Sequence, residues 1–261
     1  MKIRTQTLRD FKAQGQKFSV LTSYDALTAE IFDASGIEVL LVGDSASNTV
    51  LANDGTIPIT LSEMIAFGKA VARSARNALV VLDLPFGSYE ISAEQALESA
   101  ITAMKQTGVA AVKLEGAKLE QIKALVGAGI PVMGHVGFTP QSVHALGGFK
   151  VQGRGEGAED IYEQCLAIEK AGAFAIVLEM VPADLAQRIT KALTIPTIGI
   201  GAGNATDAQV LVWTDFAGLS SKIPKFAKQY LNLREQLGEA AKNYRDEIRS
   251  GSFPSDEQSF S

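Results

Sequence analysis

The sequence predicts a (β/α)8 barrel, and three observations carry the prediction. Short β-branched runs alternate with longer helical patterns about eight times along the chain, the order that implies a parallel sheet. The runs are apolar almost without interruption, as strands covered on both faces are. The length, 261 residues, suits a closed barrel of this kind, which typically takes about 250 residues. An open doubly wound sheet shares the alternation, but the eightfold repeat at this length favours the closed form.

Taken in order, the N-terminal MKIRTQTLRDFKAQGQ is polar and charged and has no apolar segment of the sort a secretory signal carries, so the expected location is cytoplasmic. The candidate strands are FSVLTSY (18–24), IEVLLVGD (37–44), ALVVLDLP (78–85), VAAVKLEG (109–116), IPVMGHVG (130–137), FAIVLEM (174–180) and IPTIGIG (195–201). An eighth is placed at VLVWTDFAG (210–218), whose first half also suits the end of a helix. Between them LSEMIAFGKAVARSA reads as a helix capped by Thr60 or Ser62, and SAEQALESAITAMKQTG as one that starts at Ser92 and stops at Gly108. From about residue 222, KIPKFAKQYLNLREQLGEAAKNYRDEIRS reads as a long helical tail, and GSFPSDEQSFS as a loosely held terminus. No linker marks a second domain, so the expectation is one barrel domain over 1–261 with a C-terminal helical extension.

Composition narrows the function classes. Lys and Arg total 24 against 29 Asp and Glu, a formal charge of −5 without long single-sign blocks, so no basic stripe for nucleic acid is present. No apolar run approaches the length of a membrane span. The single cysteine, Cys165, excludes a disulfide within the chain and reads as a half-buried small apolar residue.

The strand ends share one property. Asp44 closes LLVGD, Asp83 sits in VVLDLPFG, Lys113 and Glu115 in VKLEG, His135 in MGHVG and Glu179 in IVLEM. That edge of a parallel barrel is where ligands bind. Lys113 and Glu115 are two apart, so they face the same side of their strand. Singly, each residue has a plainer reading as a turn former, an N-cap, a structural histidine or a lysine paired with its neighbour. Together they place carboxylates close enough to require a cation among them. Hard oxygen donors without a cysteine cluster or a close histidine pair suit Mg²⁺ better than zinc or copper. Such an ion would polarise the carbonyl of an α-keto acid and stabilise its enolate, with Glu179 placed to take the proton from the adjacent carbon.

Two glycine-rich stretches are less specific. GIGAGNATD (199–207) is similar to phosphate-cradling loops and equally fits a need for tight turns, and it lacks the spacing of a dinucleotide site. GHVGFTPQSVHALGGFKVQGR (134–154) reads as a loop over the site, with a short helix near Pro140 and His144 facing solvent.

VGDS, TIPITLSEMIAFGKAV, ALVVLDLPFGSY, AVKLEG, GHVGFTPQSVHALGGFKVQGR, VLEMVP, IPTIGIGAG and the tail GSFPSDEQSF together resemble the ketopantoate hydroxymethyltransferase family almost end to end. The resemblance implies a barrel of the phosphoenolpyruvate mutase and isocitrate lyase type. It implies transfer of a hydroxymethyl group to α-ketoisovalerate (3-methyl-2-oxobutanoate) in pantothenate biosynthesis, with Mg²⁺ as cofactor and methylene-tetrahydrofolate as donor. It also implies a homo-oligomer, a decamer. Carried over, it makes Asp44 and Asp83 metal ligands, with Glu115 a third, directly or through water. Asp44, Ser45, Asp83, Lys113 and His135 fall among the substrate contacts, and Glu179 is the general base.

Departures from the family pattern lie beside these residues. After VGDS the family usually continues Leu-Gly-Met, where this chain has Ala46, Ser47 and Asn48. Phe67 and Gly68 stand where a His-Thr pair is common, Met180 where a small residue is common, and Gln258 where histidine is common. A lyase on the same barrel and metal, or a non-catalytic binding protein, are the competing expectations.

Overall fold

Residues 2–260 are described by a computed structural model of the chain. Their contacts divide them into one compact unit ending at Val212 and a second beginning at Trp213.

The first unit opens with α1 (Thr5–Ala13) and β1 (Phe18–Thr22), followed by α2 (Ala26–Ala34), β2 (Val39–Val42), α3 (Ala46–Thr49) and α4 (Leu61–Ser74). It continues through β3 (Leu79–Asp83), α5 (Ala93–Thr107), β4 (Ala111–Lys113), α6 (Leu119–Gly127) and β5 (Val132–Gly137). A 3-10 turn at Pro140–Ser142 and α7 (Val143–Leu146) precede α8 (Gly157–Lys170), β6 (Ala175–Glu179), α9 (Ala183–Ala192), β7 (Thr197–Ile200) and β8 (Ala208–Leu211). The eight strands are all parallel and pair in sequence order, with β8 closing on β1.

The period of two along each strand sorts the side chains. Phe18, Val20, Val39, Leu41, Leu79, Val81, Ala111, Met133, Ala175, Val177, Ile198, Ala208 and Val210 share one buried cluster. Leu8 of α1 is fully buried in that cluster and Ile3 and Phe11 pack against it, closing one end of the barrel. Truncating one such large side chain to alanine costs about 2–5 kcal/mol.

The helix ends follow local chemistry. Thr60, not Ser62, caps α4: its Oγ accepts Glu63 N–H at 3.3 Å, and Glu63 Oε2 accepts Thr60 N–H at 2.8 Å. Ser92 caps α5, and Gly108 ends it at φ +82. At Gly68 an added Cβ would lie 2.6 Å from Leu82 Cδ1 and 3.0 Å from Thr107 Cγ2, so the glycine lets α4 approach β3 and α5.

Three expectations from the sequence require correction. The eighth strand spans Ala208–Leu211, two residues earlier than read, and Trp213–Phe216 is a short helix, α10. No helix lies between β7 and β8; residues 201–207 return the chain alone. The outward Gln209 is consequently exposed and donates to Gly203 O at 2.8 Å and Thr206 Oγ1 at 2.8 Å, so β8 is not covered on both faces. Third, the tail helix α11 starts at Leu233 and ends at Ser250 rather than starting near 222. Pro224 disfavours helix at the residue before it. The backbone N–H groups of Tyr230, Leu233 and Arg234 go to the carbonyls of Phe216, Ala217 and Gly218 at 2.8, 2.9 and 3.2 Å.

In the second unit α11 has no buried residue, and Leu237, Tyr244 and Ile248 form an exposed apolar stripe. Gly251 ends it at φ +75, and a 3-10 turn at Asp256–Gln258 follows, its Gln258 Oε1 accepting from Ser255 N–H at 3.2 Å. Among the described residues no helix is long and apolar enough to cross a membrane.

Candidate active site

The barrel's inward parity continues past the apolar cluster into a charged layer. Leu79 and Val81 lead to Asp83, Ala111 to Lys113 and Glu115, Met133 to His135, and Ala175 and Val177 to Glu179. Strand pairing then places Asp83 beside Lys113 and Gly137 beside Glu179. Asp83, Lys113, Glu115 and His135 are all 3 % exposed or less.

Asp44 arrives differently, because Gly43 takes the inward position after Leu41. A Cβ at Gly43 would lie 2.9 Å from Ser45 Oγ. The chain turns immediately, with Ala46 N–H donating to Gly43 O at 3.1 Å and Ser47 N–H to Asp44 O at 2.9 Å. This brings buried Asp44 over the strand ends, its N–H 3.4 Å from Asp83 Oδ2. Ser45 Oγ lies 2.7 Å from the Tyr24 hydroxyl, and Phe67 meets the Tyr24 ring edge-on at 6.4 Å between centroids.

Lys113 Nζ donates to both oxygens of Asp83, at 2.6 and 2.7 Å. His135 lies between two carboxylates, Nδ1 at 3.4 Å from Glu115 Oε1 and Nε2 at 3.3 Å from Glu179 Oε2. Both are ion-pair distances off the axis of a hydrogen bond, so the two ring nitrogens and Glu115 Oε1 have no hydrogen-bond partner. The structure thus brings together all seven residues singled out from the sequence, Ser45 at the edge of the set through Tyr24.

Four carboxylates face one ammonium and one imidazole in a buried setting, and the imbalance displaces their pKa values. Burial, then the charges of Asp83 and Glu115, push the Asp44 carboxyl up to about 8. Asp83 is also raised, chiefly by burial, which outweighs Lys113. Glu115 is lowered: burial opposes its ionisation, but His135, Lys113 and the Gln141 amide outweigh it. Burial and Lys113 oppose protonation of His135, yet Glu115 and Glu179 raise it to about 9. Lys113 is raised in the same way, its burial offset by Asp83, Glu115 and Asp44.

This donor set fits a hard divalent cation. It offers carboxylate oxygens only, carries surplus negative charge, and includes one buried carboxylate oxygen, Glu115 Oε1, without a hydrogen bond. Among the described residues no three His, Cys, Asp or Glu groups form a ready-made cage. Mg²⁺ does not ask for one, since it retains waters and binds through one or two carboxylates.

The loop that departs from the family pattern is knitted by its own polar side chains. Fully buried Ser47 donates to Gly55 O at 2.7 Å and accepts from Asn53 Nδ2 at 3.1 Å. Asn48 Nδ2 donates to Asn53 O at 3.2 Å, and Thr49 Oγ1 to Ser45 O at 2.9 Å. Met180, directly after Glu179, holds a left-handed φ of 49°. Its N–H donates to Ile200 O at 2.8 Å and its carbonyl accepts from Gln152 N–H at 3.0 Å, pinning the end of β6 from two sides.

The glycine-rich stretch after β7 is used for close packing: a Cβ on Gly203 would lie 2.6 Å from Ala183 Cβ. The 134–154 segment does carry its short helix after Pro140, and His144 is exposed. Two site residues were not found from the sequence. Gln141, in the turn after β5, donates to Asp44 Oδ2 at 2.9 Å, and its neighbour in the network is Tyr89. Both are uncharged and sit in loops, and their partners lie tens of residues away in sequence.

Comparison with known proteins adds the following. A family model described as ketopantoate hydroxymethyltransferase matches residues 2–256. A 3-methyl-2-oxobutanoate hydroxymethyltransferase of Leifsonia xyli subsp. xyli is 58% identical, the match covering 99% of this chain and 95% of that protein. One of the same name from Corynebacterium efficiens is 56% identical, covering 99% and 97%. Among solved structures, 2,3-dimethylmalate lyase, a member of the PEP mutase/isocitrate lyase superfamily, superposes with a TM-score of 0.62 at 17% identity, covering 98% of this chain and 91% of the other. Phosphonopyruvate hydrolase with oxalate and Mg²⁺ gives 0.63 at 15%, covering 98% and 93%. The fold, a closed parallel eight-stranded barrel, is therefore shared with these structures.

Proposed function

The chain belongs to the ketopantoate hydroxymethyltransferase family, and from that membership we propose that it transfers a hydroxymethyl group from methylene-tetrahydrofolate to 3-methyl-2-oxobutanoate, giving 2-dehydropantoate for pantothenate and coenzyme A synthesis. The observation that carries the reading is the buried charged layer in which Asp44, Asp83, Lys113, Glu115, His135 and Glu179 converge. The reaction consumes one water: the C3–H bond breaks, C3 bonds to the one-carbon unit, water supplies its hydroxyl oxygen, and tetrahydrofolate leaves.

Asp44 and Asp83 would hold Mg²⁺, with Glu115 the third carboxylate of the set. When bound, the ion polarises the ketone of the keto acid and lowers the cost of forming its enolate. Lys113, locked by Asp83 at 2.6 and 2.7 Å, presents positive charge to the substrate's oxygens, and Ser45, held by Tyr24, presents a hydroxyl. Glu179 takes the C3 proton. Its side chain is 15% exposed, against 2% for His135 and for Glu115, so it is the carboxylate of this set with most access to a bound molecule. His135, between Glu115 and Glu179, steadies both. The small-molecule substrates, the cytoplasmic location and assembly of several copies, a decamer in the family pattern, belong to the same reading; the apolar stripe on α11 supports the last.

Loss of the C3 proton tests it directly. With Mg²⁺ in deuterated water the protein should exchange that proton of 3-methyl-2-oxobutanoate, followed by NMR, and Glu179→Gln should slow exchange by about 10²- to 10⁴-fold. Absence of exchange by the unaltered protein, together with no folate-dependent product, overturns the proposal.

A further inference from the structure

Tyr89 and Gln141 are buried at the charged layer, at 1% and 4% exposure, yet neither ionises in the reaction. Their hydrogen bonds run in one direction. Glu115 N–H donates to the Tyr89 hydroxyl oxygen at 3.2 Å. A backbone amide can only donate, so the Tyr89 proton is free for one acceptor, Gln141 Oε1, to which it donates. That fixes which way the Gln141 amide faces. Its Nε2 then donates to Asp44 Oδ2 at 2.9 Å and to Leu84 O at 3.1 Å. The Gln141 backbone N–H donates to Glu115 Oε2 at 3.0 Å, so the chain of bonds returns to the residue where it began.

The result is a closed ring, Glu115 to Tyr89 to Gln141 and back to the Glu115 carboxylate, with one branch to Asp44. Every polar group of the Gln141 side chain is used. Bonds aligned in one sense strengthen one another, and loss of any member leaves a buried polar group unsatisfied. Two carboxylates that follow different strands, β2 and β4, are thereby held at one spacing by a residue of a third element.

We propose that Tyr89 and Gln141 are positioning residues that set the spacing and orientation of Asp44 and Glu115, and so the affinity of this site for a divalent cation. The inference rests on the reading of those carboxylates as cation ligands. Partners of metal ligands carry effects on the order of 10- to 100-fold in affinity.

The test is Mg²⁺ titration by calorimetry of the full chain without substrate, with Mn²⁺ as a second probe. Tyr89→Phe keeps the aromatic side chain and removes the hydroxyl; Gln141→Met keeps the length and removes the amide. Each should weaken binding about 10- to 100-fold, and the double variant should be no weaker than the worse single one, since both break the same ring. Saturating Mg²⁺ should restore C3 exchange in both. If the unaltered protein binds no Mg²⁺, the cation reading fails and this inference with it. If it binds and both variants bind within twofold of it, the inference alone is overturned. Should Tyr89→Phe not fold, Gln141→Met carries the same expectation, and loss of folding in both assigns the pair to structure and overturns it.

Discussion

Gly137→Ala should separate the geometry of Glu179 from the general stability of the barrel. Gly137 ends β5 at φ +94, and a Cβ there would lie 2.2 Å from Glu179 O and 2.7 Å from Val181 Cγ2. To regain ordinary contact, the Glu179 carbonyl or the strand end must move by roughly 1 Å. That movement breaks the bond from Phe138 N–H to Glu179 O, now 2.8 Å, at about 1 kcal/mol. The left-handed backbone adds about 1–2 kcal/mol for a residue with a Cβ, and overpacking about 1–3 kcal/mol. A total of about 3–6 kcal/mol is expected as a lowered unfolding midpoint. A shift of that size at a reacting carboxylate should slow C3 exchange on the order of 10²-fold. Gly129→Ala is the control, because Gly129 has φ +84 and nothing within 4 Å of the added carbon. It should cost only about 1–2 kcal/mol and leave exchange unchanged. Exchange by Gly137→Ala within threefold of the unaltered protein would refute the link between this contact and the base.

Two further predictions concern the N-terminal edge of the barrel and the loop after Asp44. Asp33 is buried and accepts N–H bonds from Arg76, Asn77 and Ala78 at 3.1, 2.8 and 2.6 Å, and from Asn77 Nδ2 at 3.2 Å. Burial opposes its ionisation, but those bonds prevail and lower its pKa. A lowered folded value means stability present above the unfolded pKa of about 4 and lost as pH falls through the folded value. Asp33→Asn should cost about 2–3 kcal/mol at neutral pH and flatten the acid limb of stability against pH in urea unfolding; an unchanged acid limb contradicts the assignment. Ser47→Ala should leave Gly55 O and the Asn53 amide unpaired, at about 1–3 kcal/mol, and speed amide hydrogen exchange at Asn53, whose N–H donates to Ser47 O at 3.0 Å. Equal exchange at Asn53 would show that the loop does not depend on that hydroxyl.

The charged layer was legible because it obeys the same period as the apolar wall beneath it. Lys113 and Glu115 fall on one face by spacing alone, and Asp83, His135 and Glu179 follow the parity of their strands. Asp44 was legible as a strand end, although it reaches the site through the turn after Gly43. Gln141 and Tyr89 were not, since neutral residues in loops signal nothing until the fold brings Glu115 to both. The eighth strand was misplaced because apolar Val210, Leu211 and Val212 run straight into WTDF, whose residues belong to the following helical turn. Exposed Gln209 was the available sign that a covering helix is missing there. In the tail, the helical periodicity that is real after 233 has no clear start in the sequence. The backbone N–H groups of Tyr230, Leu233 and Arg234 go to Phe216, Ala217 and Gly218 instead of continuing a helix back towards Pro224.

The unhelical return from β7 to β8 bears on how the barrel assembles. Strands β7 and β8 are joined by residues 201–207 alone, so bringing them together closes a short loop at small entropic cost. Pairing β1 with β8, by contrast, joins Phe18–Leu21 to Ala208–Leu211 across nearly the whole unit, and such distant closures form slowly. The ring is therefore expected to zip from its consecutive neighbours and to shut last at β1 and β8. Lys12 and Asp207, paired at 2.7 Å, and Phe18 N–H on Asp207 O at 3.3 Å act there as the latch. In the reverse direction, that seam is where transient opening would begin.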